Sequence, residues 1–345
     1  MKSVELTKIK KFSLIDIPKP EITNKNDILI KVKSVGLCGS DIHYYKTGRI
    51  GNQIVKYPFI IGHEMSGIIE EVRDRASKLK KGDRVAIDPL VSCYQCDQCR
   101  LGRYHTCRNQ KFLGCPGQIE GCLKEFIVLP EKCCYPIPEK MNYDTAVLCE
   151  PLSIGYYAVS FAENLKNKNI GIFGAGPIGL SVLITAKYLG ANKIYTVDKL
   201  GYRLGIAKNQ GAFWTGNINK TDCVKEINKL ESNQLDFIFE CCGEQEAVDK
   251  SLQLLKPGGK LIIIGIPEFE SYTFDAHLMR RNELTVQNIR RQNEYMGKTI
   301  KAVSKNKLNP DFMITHHFKL EETEKAFQLL SNYGDNMIKA IINFN

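Results

Sequence analysis

Cys93, Cys96, Cys99 and Cys107 follow the spacing Cys-x2-Cys-x2-Cys-x7-Cys. Four thiolates this close are the ligand set that tetrahedral zinc takes in a closed structural site, so the spacing predicts a structural zinc lobe. Upstream, Cys38-Gly39-Ser40-Asp41-Ile42-His43 and Gly62-His63-Glu64 offer a thiolate, an imidazole and a carboxylate from separate loops. Such a mixed set suits catalytic zinc, whose open position lets the ion act as a Lewis acid on a bound hydroxyl. Glu150, at the start of the second half, can reach the same ion or its water. Cys38 alone is as readily a buried core thiol as a ligand, and its distance in sequence from His63 is not diagnostic.

A third constellation lies downstream. Gly174-Ala175-Gly176-Pro177-Ile178-Gly179 matches Gly-x-Gly-x-x-Gly, directly after an apolar run and before the helical run Leu180 to Leu189. The first glycine allows a tight turn, the second lets backbone approach a pyrophosphate, and the helix start supplies a positive dipole end. Asp198 follows nineteen residues after Gly179, where an acid accepts hydrogen bonds from adenosine ribose hydroxyls and repels a 2′-phosphate. NAD is therefore favoured over NADP, a preference softened by Lys199 and Arg203. The expected cofactor contacts are Gly174, Gly176, Ile178, Gly179, Asp198 and Arg203.

These residues need two kinds of scaffold. Residues 27 to about 135 read as short β-rich runs broken by Gly and Pro, namely Ile28 to Val35, Gly67 to Val72, Arg84 to Ile87 and Glu125 to Leu129. That pattern implies a compact antiparallel or barrel-like domain. From about residue 150, five-residue apolar strands alternate with helical stretches, the strands being Ile170 to Phe173, Lys193 to Val197, Asp236 to Phe239 and Lys260 to Ile264. The fold class is thus α/β, with a doubly wound parallel sheet beside a β-rich domain. After Leu284 the alternation stops, and a helix near Glu321 to Leu330 precedes a closing strand, Ile338 to Phe344, which is expected to rejoin the first domain. The expected domains are residues 1–150, 151–284 and a returning segment 285–345.

Composition excludes several classes. At 345 residues, 43% hydrophobic and 25% charged, the chain fits a two-domain globular enzyme. The net charge of +10 is scattered, with Arg280-Arg281 and Arg290-Arg291 the densest arginine clusters, so nucleic acid is not an expected partner. Thirteen cysteines neither pair evenly nor sit in a short chain, which fits a reducing cytoplasm better than a disulfide framework. The most apolar window, Ile170 to Ala186, is short and glycine-broken, and the start lacks a signal-peptide pattern, so no membrane association is expected. His316-His317 has no Cys or carboxylate at close ligand spacing and is not read as a metal site.

Taken together, Cys-Gly-Ser-Asp-x-His, Gly-His-Glu, the four-cysteine lobe, Glu150-Pro151-Leu152-Ser153 and the glycine turn resemble the zinc-dependent medium-chain dehydrogenases over nearly the whole chain. His43-Tyr44-Tyr45, Gly48-Arg49-Ile50-Gly51-Asn52 and Glu150-Pro151-Leu152-Ser153-Ile154-Gly155 most resemble the sorbitol and xylitol dehydrogenase branch. The resemblance implies a GroES-like catalytic domain built from both chain ends, a central Rossmann domain, two zinc ions per chain, NAD, a polyol substrate oxidised to a ketose, and a homodimer or homotetramer. Same-fold alternatives act on a sugar acid, a cyclitol or threonine. A non-catalytic zinc- and nucleotide-binding scaffold is the alternative from another class.

The resemblance also implies roles. Cys38 and His63 would be zinc ligands, Glu64 a neighbouring carboxylate that ligates or exchanges, and Glu150 a carboxylate on the metal or its water. Asp41 would orient His63 through its other ring nitrogen. Ser40 and His43 match a proton relay from the alcohol to solvent. Tyr44, Glu150 and Arg290 match substrate contacts, with Arg291 standing where the branch often has an aromatic. Two departures stand out: many alcohol dehydrogenases have a cysteine where this chain has Glu150, with Cys149 beside it here, and animal sorbitol dehydrogenases lack the four-cysteine lobe.

Overall fold

The structure is a computed structural model that describes residues 1–74 and 77–344. The chain divides into two compact units. The first comprises residues 1–150, 296–306 and 310–345, and the second comprises 151–295 and 307–309. The boundary falls inside the helix Tyr143–Ser160, one residue before Pro151.

In the first unit, the long strand Asp27–Gly36 is the axis of a seven-stranded sheet. Glu64–Val72 pairs antiparallel along one edge of it, and Phe126–Pro130 and Lys339–Asn343 share the other. Arg84–Ile87 and Cys134–Pro136 extend the sheet on one side and Ile314–Lys319 on the other. Ile28, Ile30, Val32 and Val35 are buried in a core with Ile69, Val85, Ile127 and Ile342. Ile28, Ile30 and Val32 alternate along the strand and line one face of the sheet, while Lys31 and Lys33 are half-buried on the other. The C-terminal strand thus completes a sheet begun by the N-terminal half.

In the second unit, six parallel strands run in the order Trp214–Asn217, Lys193–Asp198, Asn169–Phe173, Leu235–Glu240, Leu255–Ile263 and Thr285–Asn288. The order reverses beside Asn169–Phe173, which is the topological switch point where doubly wound sheets bind ligands at their carboxyl ends. The four interior strands follow the apolar runs of the sequence. The two edges do not: Trp214–Asn217 and Thr285–Asn288 are short, mixed in polarity and only partly buried. The sequence pattern placed Thr285 onward in the returning segment, whereas this strand keeps the chain in the second unit up to Tyr295.

All thirteen cysteines are free thiols. Among the described residues no helix is long and apolar enough to cross a membrane.

Candidate functional site

Cys38 caps the helix Gly39–Thr47, which begins where the strand Asp27–Gly36 ends. Asp41 closes the cap: its Oδ2 accepts the Cys38 backbone N–H at 3.1 Å. The other carboxylate oxygen lies 3.4 Å from His63 Nδ1, so one acid fixes both the cysteine backbone and the imidazole. Glu64 begins the strand Glu64–Val72 and pairs with Gly36, and His63 stands directly before it. The turn after one strand and the start of its neighbour thereby meet. Ligand atoms of Cys38, His63 and Glu64 lie within 4.8 Å of one another.

The electrostatics of this cluster call for a cation. Burial by itself would push the His63 imidazole down, but Asp41 and Cys38 outweigh it and hold it well above its ordinary range. Glu150 is buried, and burial pushes its carboxyl up to about 8, with His63 pulling it down and Glu64 pushing it up. Asp41 and Cys38, which favour a proton on this imidazole, would equally favour a metal ion beside it. Thiolate, imidazole and carboxylate are donors that zinc accepts, so the residues fit that ion. Glu150 stands outside the 4.8 Å grouping. Cys149 points away: its thiol faces the Thr145 carbonyl of its own helix at 3.7 Å, and burial pushes it up to about 12.

Ser40 and His43 are half-buried on the helix that Cys38 caps. Tyr44, on the same helix, is buried with its hydroxyl 3.0 Å from Gln53 Oε1. Arg290 belongs to the second unit and is exposed just past the strand Thr285–Asn288.

Ligand sulfurs of Cys93, Cys96, Cys99 and Cys107 also gather within 4.8 Å of one another. Cys107 Sγ lies 3.4 Å from Cys93 Sγ and 3.9 Å from Cys96 Sγ. Zinc–sulfur bonds of about 2.3 Å in a tetrahedron require sulfurs about 3.8 Å apart, so this lobe fits zinc as well. Backbone amides aim at the sulfurs: those of Gln95 and Cys96 pull the Cys93 thiol down to about 6, and those of Cys99 and Arg108 pull Cys96 down. Cys99 is pushed up to about 12 by burial. A doubly bonded ion pair, Arg108 to Asp97 at 2.6 and 2.8 Å, spans the lobe.

In the second unit, Gly174 has φ of +97°, the left-handed turn that frees the chain from the strand Asn169–Phe173. A side chain on Gly179 would collide with the Gly174 carbonyl, so glycine there lets the helix Pro177–Tyr188 start directly against the turn. Ile178 is half-buried in its first residues. Asp198 ends the adjacent strand and reaches across, its Oδ2 accepting the Ala175 N–H at 2.6 Å and its Oδ1 the Leu200 N–H at 2.8 Å. Arg203 Nη1 lies 4.0 Å from Asp198. Turn, helix start, acid and arginine stand together as a cradle for a dinucleotide.

Two buried charged residues beside these clusters escaped the sequence reading. Glu240, at the end of the strand Leu235–Glu240, accepts the N–H groups of Cys242 and Gly243, each at 2.7 Å, and so shapes the loop packed against Gly174. Its signal was an acid ending an apolar strand ahead of a glycine. Lys339 bonds both carboxylate oxygens of Glu64. Its only signal was a lone charge in an apolar closing strand.

Residues 24–139 match the family model described as the alcohol dehydrogenase GroES-like domain, and residues 177–305 match that of the zinc-binding dehydrogenases. The chain is 33% identical over 343 residues to a sorbitol dehydrogenase of Bacillus subtilis, covering 99% of this chain and 97% of that protein. It is 36% identical over 324 residues to an L-idonate 5-dehydrogenase of Vitis vinifera, covering 92% and 88%. Among solved structures, a short chain alcohol dehydrogenase of Escherichia coli complexed with NADH superposes with a TM-score of 0.91 at 28% identity, covering 100% of this chain and 99% of that one.

Proposed function

The chain belongs to the zinc-dependent medium-chain alcohol dehydrogenase family, and on that premise we propose that it oxidises a secondary hydroxyl of a sorbitol- or xylitol-like polyol to a ketose, with NAD as hydride acceptor. The observation that carries this reading is the meeting of the ligand atoms of Cys38, His63 and Glu64 within 4.8 Å of one another. Cys38 and His63 would hold the catalytic zinc, with Glu64 and Glu150 as carboxylates beside it. Bound there, zinc supplies Lewis acidity that brings a hydroxyl pKa toward neutrality. Asp41 orients His63 through Nδ1.

Oxidation of the carbinol releases a hydride and a proton, which must leave by different routes. Bound NAD would supply the acceptor for the hydride. Ser40 takes the proton and His43 passes it to solvent. The Gly174–Gly179 turn would receive the pyrophosphate of a bound dinucleotide, Asp198 its adenosine ribose hydroxyls, and Arg203 would lie beside them. Tyr44, Glu150 and Arg290 supply polar contacts that favour a many-hydroxyl substrate over an apolar one. The four-cysteine lobe holds a second, structural zinc. Residues 1–150 with the returning C-terminal segment act as the catalytic domain and the central segment as the NAD domain, in a cytoplasmic homodimer or homotetramer.

A sugar acid is the second reading, favoured by the likeness to the L-idonate dehydrogenase. Initial rates of NADH formation across sorbitol, xylitol, L-idonate, inositol and threonine separate the two. Sorbitol or xylitol is expected to lead; a lead for L-idonate moves the assignment to sugar acids, and activity with threonine alone defeats both.

A further inference from the structure

The helix Gly39–Thr47 ends on Gly48, whose φ of +70° turns the chain out of the helix, and a hairpin follows at once. Arg49–Ile50 pairs antiparallel with Gln53–Ile54 around Gly51-Asn52, with Gly51 at φ of +52° in the first place of the two-residue turn. Val55 N–H closes the hairpin on the Gly48 carbonyl at 2.8 Å. Ile50 and Val55 pack on the core of the unit, whereas Gln53 between them is half-buried and polar. Its Oε1 accepts the Tyr44 hydroxyl at 3.0 Å, which sets the amide plane and leaves both Nε2 donors for other partners. Those donors have no partner among the described residues. A half-buried amide with unbonded donors costs stability, and an aliphatic side chain in its place would avoid that cost.

Gln53 is tied to the metal cluster from two sides. Tyr44 lies beyond Cys38 on the helix that Cys38 caps, about 9 Å along its axis. The Tyr44 hydroxyl also lies 3.9 Å from Cys115 Sγ, and Cys115 packs with Leu90 and Phe112, whose ring is 5.3 Å from that of His63. Leu90 and Phe112 make this side apolar, so a hydrogen-bonding group on it separates a hydroxyl from a methylene sharply. We propose that Gln53 is a specificity-determining residue, whose Nε2 donates to a polyol hydroxyl beyond the one being oxidised, with Tyr44 holding the amide in place. The proposal rests on the polyol reading of the site and deepens it by naming the residue that reads a hydroxyl remote from the metal.

The test uses full-length, zinc-loaded protein and compares wild type with Gln53→Met and Gln53→Glu in the oxidation of sorbitol and xylitol at saturating NAD. Melting temperature is followed in parallel and is expected to be kept. Met holds the length of the side chain without a donor; Glu keeps an acceptor for Tyr44 and removes the donors. Both variants are expected to raise KM for the polyol about fivefold or more, with kcat within about twofold of wild type. That is the pattern of a lost hydrogen bond made equally in the ground and transition states. A wild-type KM in Gln53→Met overturns the proposal, and so does a fall in kcat with KM unchanged. A wild-type KM in Gln53→Glu overturns it as well, since Gln53 would then serve Tyr44 alone. Should Gln53→Met fail to fold, Gln53→Glu decides by the same criterion. Wild-type protein that oxidises neither polyol overturns the polyol reading and the proposal with it, whereas wild-type turnover with unmoved variants overturns the proposal alone.

Discussion

His63 is the residue at which burial and charge oppose each other most directly. Burial disfavours a charged imidazole, and Asp41 and Cys38 reverse that preference. A zinc ion bound there would take the place of the proton, with Asp41 beside Nδ1 orienting a neutral His63. His63→Ala should therefore abolish turnover while the circular dichroism spectrum is kept, because the loss is of a ligand and not of core packing. Asp41→Asn should lower turnover about 10- to 100-fold, the usual cost of losing a partner that orients a metal ligand. Both are checked by initial rates on protein whose zinc content is measured in parallel. At this scale the sequence made Cys38, His63 and Glu64 legible because their residue types have few roles in common besides metal binding. Lys339 was not legible: its partner lies 275 positions away, and only the sheet pairing of the two chain ends brings them together.

Among the elements, the proposed function gives the four-cysteine lobe and the glycine turn separable duties. Cys93→Ser should lower the melting temperature more than it lowers turnover per folded molecule. Equal losses in Cys93→Ser and His63→Ala would break the division between structural and catalytic metal. In the parallel sheet, Asp198→Ala removes two hydrogen bonds from the carboxylate and leaves Lys199 and Arg203 beside the ribose site. The ratio of KM for NAD to KM for NADP should rise about tenfold or more, the worth of one charge-assisted hydrogen bond. A further acid tests the sheet itself. Burial pushes Asp236 up, but Lys256, the Asn169 amide and Lys168 outweigh it and hold the carboxyl below its usual range. Its stabilising contribution is complete above the unfolded carboxylate range and is lost as pH falls through the lower folded value. Asp236→Asn should thus melt earlier than wild type at pH 7, with the gap closing below about pH 4. The strands around these residues were read correctly where burial made them uniformly apolar. Trp214–Asn217 and Thr285–Asn288 were missed because an edge strand buries less and tolerates polar residues.

At the scale of the molecule, one compact unit carries the mixed metal cluster and the other the dinucleotide turn. The returning C-terminal strand is more than a closure, since it delivers Lys339 to Glu64. The central claim is that a loosely coordinated zinc, held by Cys38 and His63 and distinct from the ion of the cysteine lobe, is the one that activates the substrate hydroxyl. Zinc release and turnover followed together in one sample during chelation test it most directly. The account predicts about two zinc per chain, the first lost in step with activity and missing from Cys38→Ser, the second resistant. One zinc per chain, untouched by Cys38→Ser, or activity that outlasts loss of the first ion, would contradict it.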